Sequence, residues 1–162
     1  MIRGDESSIV NAKIQSEAVK MKRKLKVAAI QMDCVPVPVT ERLSRLAPLI
    51  AEAAQAGAQL VVLPELFNTG YEYHARNYAL AESLEGETIT WMKTQAAQHA
   101  IHLVGTLLLL DETDIYNTAA LVAPDGRLWR YDKHYVPLWE RAYFRGGNHI
   151  TVADSAGLST ST

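Results

Sequence analysis

Three charged side chains sit where their surroundings suggest chemistry. Glu65 follows the apolar run "AQLVVLP" (58–64) and a proline that stiffens its backbone. A carboxylate partly withdrawn from water suits a general base near neutral pH; a helix cap or a surface ion pair suits the same local pattern. Lys133 closes "RLWRYDK" (127–133). A lysine at a strand end can point into a cleft and stabilise a developing oxyanion, or it can remain a solvated edge residue. Glu140 lies in "PLWERAYFRGG" (137–147), between Trp139 and the pair Tyr143-Phe144. Read locally, it is either paired with Arg141 at the surface or held in a pocket. The five histidines are scattered, with no metal spacing such as HExxH, and His134 beside Lys133 reads as incidental. Cys34 is the only cysteine, which excludes an internal disulfide and a cysteine-based zinc site.

The elements that must position these residues alternate. "LKVAAIQM" (25–32) is a short apolar run, as a buried strand requires. Residues 40–57 have helical period, with Leu43, Leu46, Ile50 and Ala54 on one face, Thr40 as N-cap and Gly57 as the C′ residue. Pro48 falls inside that helix, so a kink or a late start is expected. Residues 58–64 form the next buried strand. A short helix is expected over 74–81, and a longer one over 88–100 with Thr88 as cap and Ile89, Met92 and Ala96 inward. Strands follow over 101–110, 116–123 and 127–133, the last two joined as a hairpin at "PDG" (124–126). A long aromatic-rich loop and a possible strand over 149–154 complete the chain. Strands alternating with helices, then paired strands, give an α/β fold in which helices cover a sheet. Sites in such folds gather at the carboxyl ends of strands, which is where Glu65 and Lys133 lie.

The 162 residues suit one domain, and 48% apolar against 21% charged residues allow a sizeable core. Residues 1–24 are polar and read as a loose N-terminal extension, with Met21 as an alternative start; 25–162 form the domain. A net charge of −2 argues against nucleic acid, and the basic cluster Lys20, Lys22, Arg23, Lys24 and Lys26 reads as a solvated lead-in to the first strand. No apolar run approaches the ~20 residues that span a bilayer. The first twenty residues lack the apolar segment of a signal peptide. Together these features fit a reducing, cytoplasmic compartment.

Taken as a set, "KVAAIQMD", "GAQLVVLPELFNTGY", "YNTAALVAPDGRLWRYDK" and "PLWERAYFRGG" stand in the order and spacing of the nitrilase superfamily, the carbon–nitrogen hydrolases. The resemblance runs from about Leu25 to about Asp154. It implies an αββα sandwich, incomplete here at its C-terminal end, and a Glu-Lys-Cys mechanism on a small-molecule substrate. By resemblance, Glu65 is the general base, Lys133 stabilises the tetrahedral intermediate, and Glu140 is the second glutamate that orients substrate and lysine. No metal or cofactor is required. The family cleaves nitriles, aliphatic amides, ω-amides and N-carbamoyl groups, and an amide or N-carbamoyl compound is favoured here. Tyr71, Tyr73, Trp139, Tyr143 and Phe144 are candidates to shape an apolar substrate pocket.

The family's thiol follows the next strand, in a pattern resembling GRxGxxIC(Y/W)D. Here "TVADSAGLSTST" (151–162) begins like that approach, so the cysteine is expected a few positions beyond Thr162. Cys34 precedes Glu65 in the chain and reads as a small buried or half-buried residue. Asp132 and Tyr135 stand where relatives often carry Arg and His, and Asp132 is expected to pair with Lys133 or a nearby arginine. Without its final strands the sheet would expose edges and apolar faces, so the 162 residues alone are expected to be inactive and poorly soluble or oligomeric, and the complete protein to be a homo-oligomer. Two other readings share the fold: a non-catalytic module for binding or assembly, and an acyltransferase, whose membrane relatives carry spanning helices absent from this sequence.

Overall fold

A computed structural model describes residues 24–72 and 74–154. Most of the proposed extension, Tyr73 and residues 155–162 lie outside the described residues. Five strands form one sheet in chain order: β1 (Val27–Ala29), β2 (Leu60–Val62), β3 (His102–Asp111), β4 (Asp114–Val122) and β5 (Leu128–Asp132). β1, β2 and β3 run parallel, whereas β3, β4 and β5 are antiparallel neighbours. Crossover segments carry α1 (Val39–Gln55), the short α2 (Asn77–Leu80) and α3 (Glu87–His99).

α1 shows how the sequence sets these elements. Leu43, Leu46 and Ile50 are buried along one face, and Arg42 is buried beside them. The helix ends in a Schellman arrangement: Gly57 takes φ +86°, its N–H donates to Ala54 O (2.8 Å), and that of Ala58 donates to Ala53 O (3.0 Å). The expected late start at Pro48 is not found; the helix runs through it, with the ring on the exposed side. Thr40 lies within the first turn, and Pro38 occupies the cap position. Thr88 is likewise not the cap of α3. The Glu82 carboxylate, outside the helix, accepts the Thr88 backbone N–H (2.8 Å) and the Thr88 hydroxyl. An acid at that end complements the helix dipole.

The core lies between the helices and one face of the sheet. Leu46 and Ile50 of α1, and Ile89, Met92 and Ala96 of α3, pack with Val61, Leu103, Leu107, Ala120 and Val122. Gly105 lets Phe67 lie directly on the sheet: a Cβ there would meet Phe67 Cδ1 at 2.7 Å and Leu63 Cβ at 2.8 Å. Strand alternation turns Val104, Thr106, Leu108, Ile115, Asn117, Ala119 and Leu121 to the opposite face. Leu108 and Ile115 are covered there by Leu66, Val136 and Phe144. Val104, Ala119, Leu121 and Trp129 of that face remain half-buried, and Tyr131 is exposed.

The hairpin at "PDG" forms as expected, with Gly126 at φ +86°. β3 and β4 also join in a tight hairpin at 112–113, where Glu112 adopts φ +54°. The possible strand over 149–154 is not formed: Thr151 Oγ1 donates to Arg130 O, but no backbone ladder joins this segment to the sheet. No helix among the described residues is long and apolar enough to cross a membrane.

Candidate active site

Glu65 opens the turn after β2. Lys133 is the residue after β5, and its backbone N–H donates to Asn117 O (2.9 Å) in β4. Glu140 begins a single 3-10 turn (Glu140–Ala142) in the loop that follows. The fold brings the three together. Lys133 Nζ lies 3.2 Å from Glu65 Oε1, and 3.0 and 2.9 Å from the two carboxylate oxygens of Glu140. Asn117 Nδ2 donates to Glu65 Oε1 at 2.7 Å. The Tyr71 hydroxyl donates to Glu140 Oε1. Glu65 Oε2 has no hydrogen-bond partner among the described residues.

The two carboxylates differ in setting. The Glu140 side chain is 1% exposed, against 45% for Glu65. Glu65 is thus less enclosed than a residue following a buried strand would suggest, because it sits on the turn beyond the strand end. Glu140 is the buried acid, and Arg141 turns away from it, with Nε on Val136 O (3.0 Å). Burial opposes the charge on Lys133 and is the largest single influence. The hydrogen bonds that the ammonium donates to Glu140 and Glu65, with the charges of those acids, together outweigh it and raise the ammonium above the ordinary lysine value. The lysine therefore stays a cation at neutral pH, next to an acid with a free oxygen.

The aromatic candidates do not line a single wall. Tyr71 is engaged with Glu140, Phe144 is buried in the cluster with Leu66 and Leu108, Tyr143 packs against that cluster, and Trp139 is 79% exposed. Asp132 pairs with Arg130 (2.9 Å) and accepts the Thr118 hydroxyl (2.6 Å), so its charge is drawn away from Lys133. His134 Nε2 contacts His149 O (2.7 Å). Cys34 is exposed rather than buried or half-buried; its backbone, not its side chain, packs against Gly70. Asn117 was not singled out from sequence. Its signal was a lone amide in the apolar alternation of "YNTAALVA".

The α/β sheet thus gathers a carboxylate and an ammonium at its strand ends, beside a buried second acid from the loop after β5. The Carbon-nitrogen hydrolase family model matches residues 26–161, and the chain belongs to that family. A nitrilase of Pyrococcus abyssi (strain GE5 / Orsay) is 35% identical over 127 residues, covering 76% of this chain and 48% of that protein. The Omega-amidase NIT2 of Xenopus tropicalis is 38% identical over 108 residues, covering 65% of this chain and 38% of that protein. Of solved structures, XC1258 from Xanthomonas campestris, a CN-hydrolase superfamily protein, is similar with a TM-score of 0.75 at 25% identity, over 83% of this chain and 51% of its own. Saccharomyces cerevisiae Nit3, of the nitrilase superfamily, gives 0.74 at 28% identity, over 86% and 54%. The chain thus spans half or less of the length of these curated relatives.

Proposed function

We propose that the protein hydrolyses a non-peptide carbon–nitrogen bond in a small amide or N-carbamoyl compound, by a Glu-Lys-Cys mechanism. The observation that carries this reading is the Lys133 ammonium held between Glu65 and Glu140. Similarity to omega-amidases and to a nitrilase supports the bond type. In this reading the sulfur comes from outside residues 1–162, as the family resemblance implies, and Glu65 and Lys133 serve that sulfur.

Glu65 takes the thiol proton as sulfur attacks the acyl carbon, and the electron pair of the C=O moves to oxygen. The Lys133 ammonium stabilises that oxyanion. On collapse the C–N bond breaks, the leaving amine takes the proton from Glu65, and a thioester remains. Water then loses a proton to Glu65 and attacks. The second collapse releases the carboxylic acid and returns the proton to sulfur. Glu140, buried and tied by Tyr71, keeps the ammonium aimed through the cycle.

The test is ammonia release from small primary amides, by the chain as given and by the protein encoded when its reading frame is followed past codon 162. The extended protein is expected to turn over, with Glu65→Gln and Lys133→Met each losing at least ~100-fold and Cys34→Ala retaining activity. Loss of turnover on Cys34→Ala, or retention in Lys133→Met, would overturn the mechanism.

A further inference from the structure

We propose that Arg42 is a positioning residue for Glu65, fixing the turn that carries the base by clasping three backbone carbonyls. The inference rests on the reading of Glu65 as the base. The Arg42 side chain is 1% exposed, on the buried face of α1. Its nearest acid, Asp33, is 3.9 Å away, beyond hydrogen-bond range. Each guanidinium nitrogen instead donates to a main-chain oxygen: Nε to Phe67 O (2.7 Å), Nη1 to Val35 O (2.8 Å) and Nη2 to Asp33 O (2.9 Å). Burial depresses the guanidinium's pKa, and the charge of Asp33 opposes this only in part. A core helix position closes more cheaply with an apolar residue. A buried cation whose hydrogen bonds all go to carbonyls, with Asp33 only a longer ion pair, therefore points to those carbonyls as its purpose.

The three oxygens belong to two loops, one leaving β1 and one leaving β2. The loops touch at Gly70, which has φ +80° and where an added Cβ would lie 2.8 Å from Cys34 O. The second loop also contains a conformation that needs holding. Leu66, next to Glu65, adopts φ +48°, a left-handed geometry that a branched side chain rarely takes. Thr106 pins it on one side, accepting Leu66 N–H on Oγ1 (2.7 Å) and Phe67 N–H on its carbonyl (3.1 Å). Arg42 Nε pins the other side through Phe67 O. The direction in which Glu65 leaves the backbone is thus fixed between Thr106 and Arg42. A lysine keeps the charge but lacks the planar fork that reaches three acceptors at once.

The test reads the 15N ammonium resonance of Lys133 in the chain as given. Arg42→Lys is expected to move it as far as Glu65→Gln does, and the double variant is expected to move it no further. A purely structural Arg42 would lower the melting temperature while leaving the resonance in place, or would add its shift to that of Glu65→Gln; either result overturns the proposal. If Arg42→Lys does not fold, the wild type decides. The Arg42 Nε proton and the amides of Leu66 and Gly70 are expected to exchange at one common protection, and unrelated protections overturn the clasp. Neither readout needs turnover, so failure here leaves the hydrolase reading standing, and absent amide hydrolysis leaves the clasp testable.

Discussion

Replacing Lys133 with Met removes the cation from between two acids of very different exposure. Glu140 is 1% exposed and would be left as an uncompensated buried charge. Removing one partner of such a pair costs about 3–5 kcal/mol. Two features place this case near the lower end: the lysine side chain is itself 31% exposed, and the Tyr71 hydroxyl stays on Glu140. The other half of the pair contributes little. Glu65 is 45% exposed, and exposed pairs are worth about 0.2–1 kcal/mol. The expected loss for Lys133→Met is therefore about 3 kcal/mol, and that for Glu65→Gln is below about 1 kcal/mol. Lys133→Met/Glu140→Gln removes the stranded charge and should recover about 2 kcal/mol of the loss. Urea unfolding followed by tryptophan fluorescence measures all three. At a denaturant slope of about 1.5–2 kcal/mol per M, the single variant should move the midpoint by about 1.5–2 M. Equal costs for Lys133→Met and Glu65→Gln, or a double variant no more stable than Lys133→Met, would refute the assignment of the energy to the buried acid.

Three further outcomes are expected. Gly105→Ala should destabilise by about 1–3 kcal/mol, because its Cβ would press on Phe67 and Leu63 within 3 Å; a melting temperature equal to wild type would contradict the packing. The stability difference between wild type and Lys133→Met should be fully present below the ordinary lysine value of 10.5 and fall as pH rises through the higher folded value, because the folded ammonium is raised; a difference that grows with alkaline pH would reverse the sign. The half-exposed face formed by Val104, Ala119, Leu121 and Trp129 should make the chain self-associate on gel filtration, with Leu121→Lys/Trp129→Lys eluting later; a monomeric wild type would argue against it.

Much of the fold is written in short-range pattern. The 3.6-residue period places Leu43, Leu46 and Ile50, and "PDG" places the β4–β5 hairpin. What sequence alone concealed depends on partners distant in the chain. Thr40 and Thr88 have the chemistry of caps, yet Pro38 and Gly86 hold those positions, and the Glu82 carboxylate accepts the Thr88 N–H from outside the helix. Arg42 lies beside the apolar stripe of α1, and the carbonyls of Asp33, Val35 and Phe67 satisfy its buried guanidinium. At the site, Glu65 and Lys133 were legible as strand-end charges, and the family pattern implied their pairing with Glu140. The Tyr71 hydroxyl on Glu140 was not legible, because a tyrosine among aromatics reads as pocket wall.

The separation of the site's parts along the chain has a consequence for synthesis. The Glu65 turn leaves the ribosome 52 residues ahead of Asn117 and 68 ahead of Lys133. At about 5–20 residues per second, the acid waits roughly 3 to 14 s for its cation. The acceptors that Arg42 grips all lie before residue 70, so they have emerged by then. The nascent turn thus has its anchor at hand well before its counter-charge has been made.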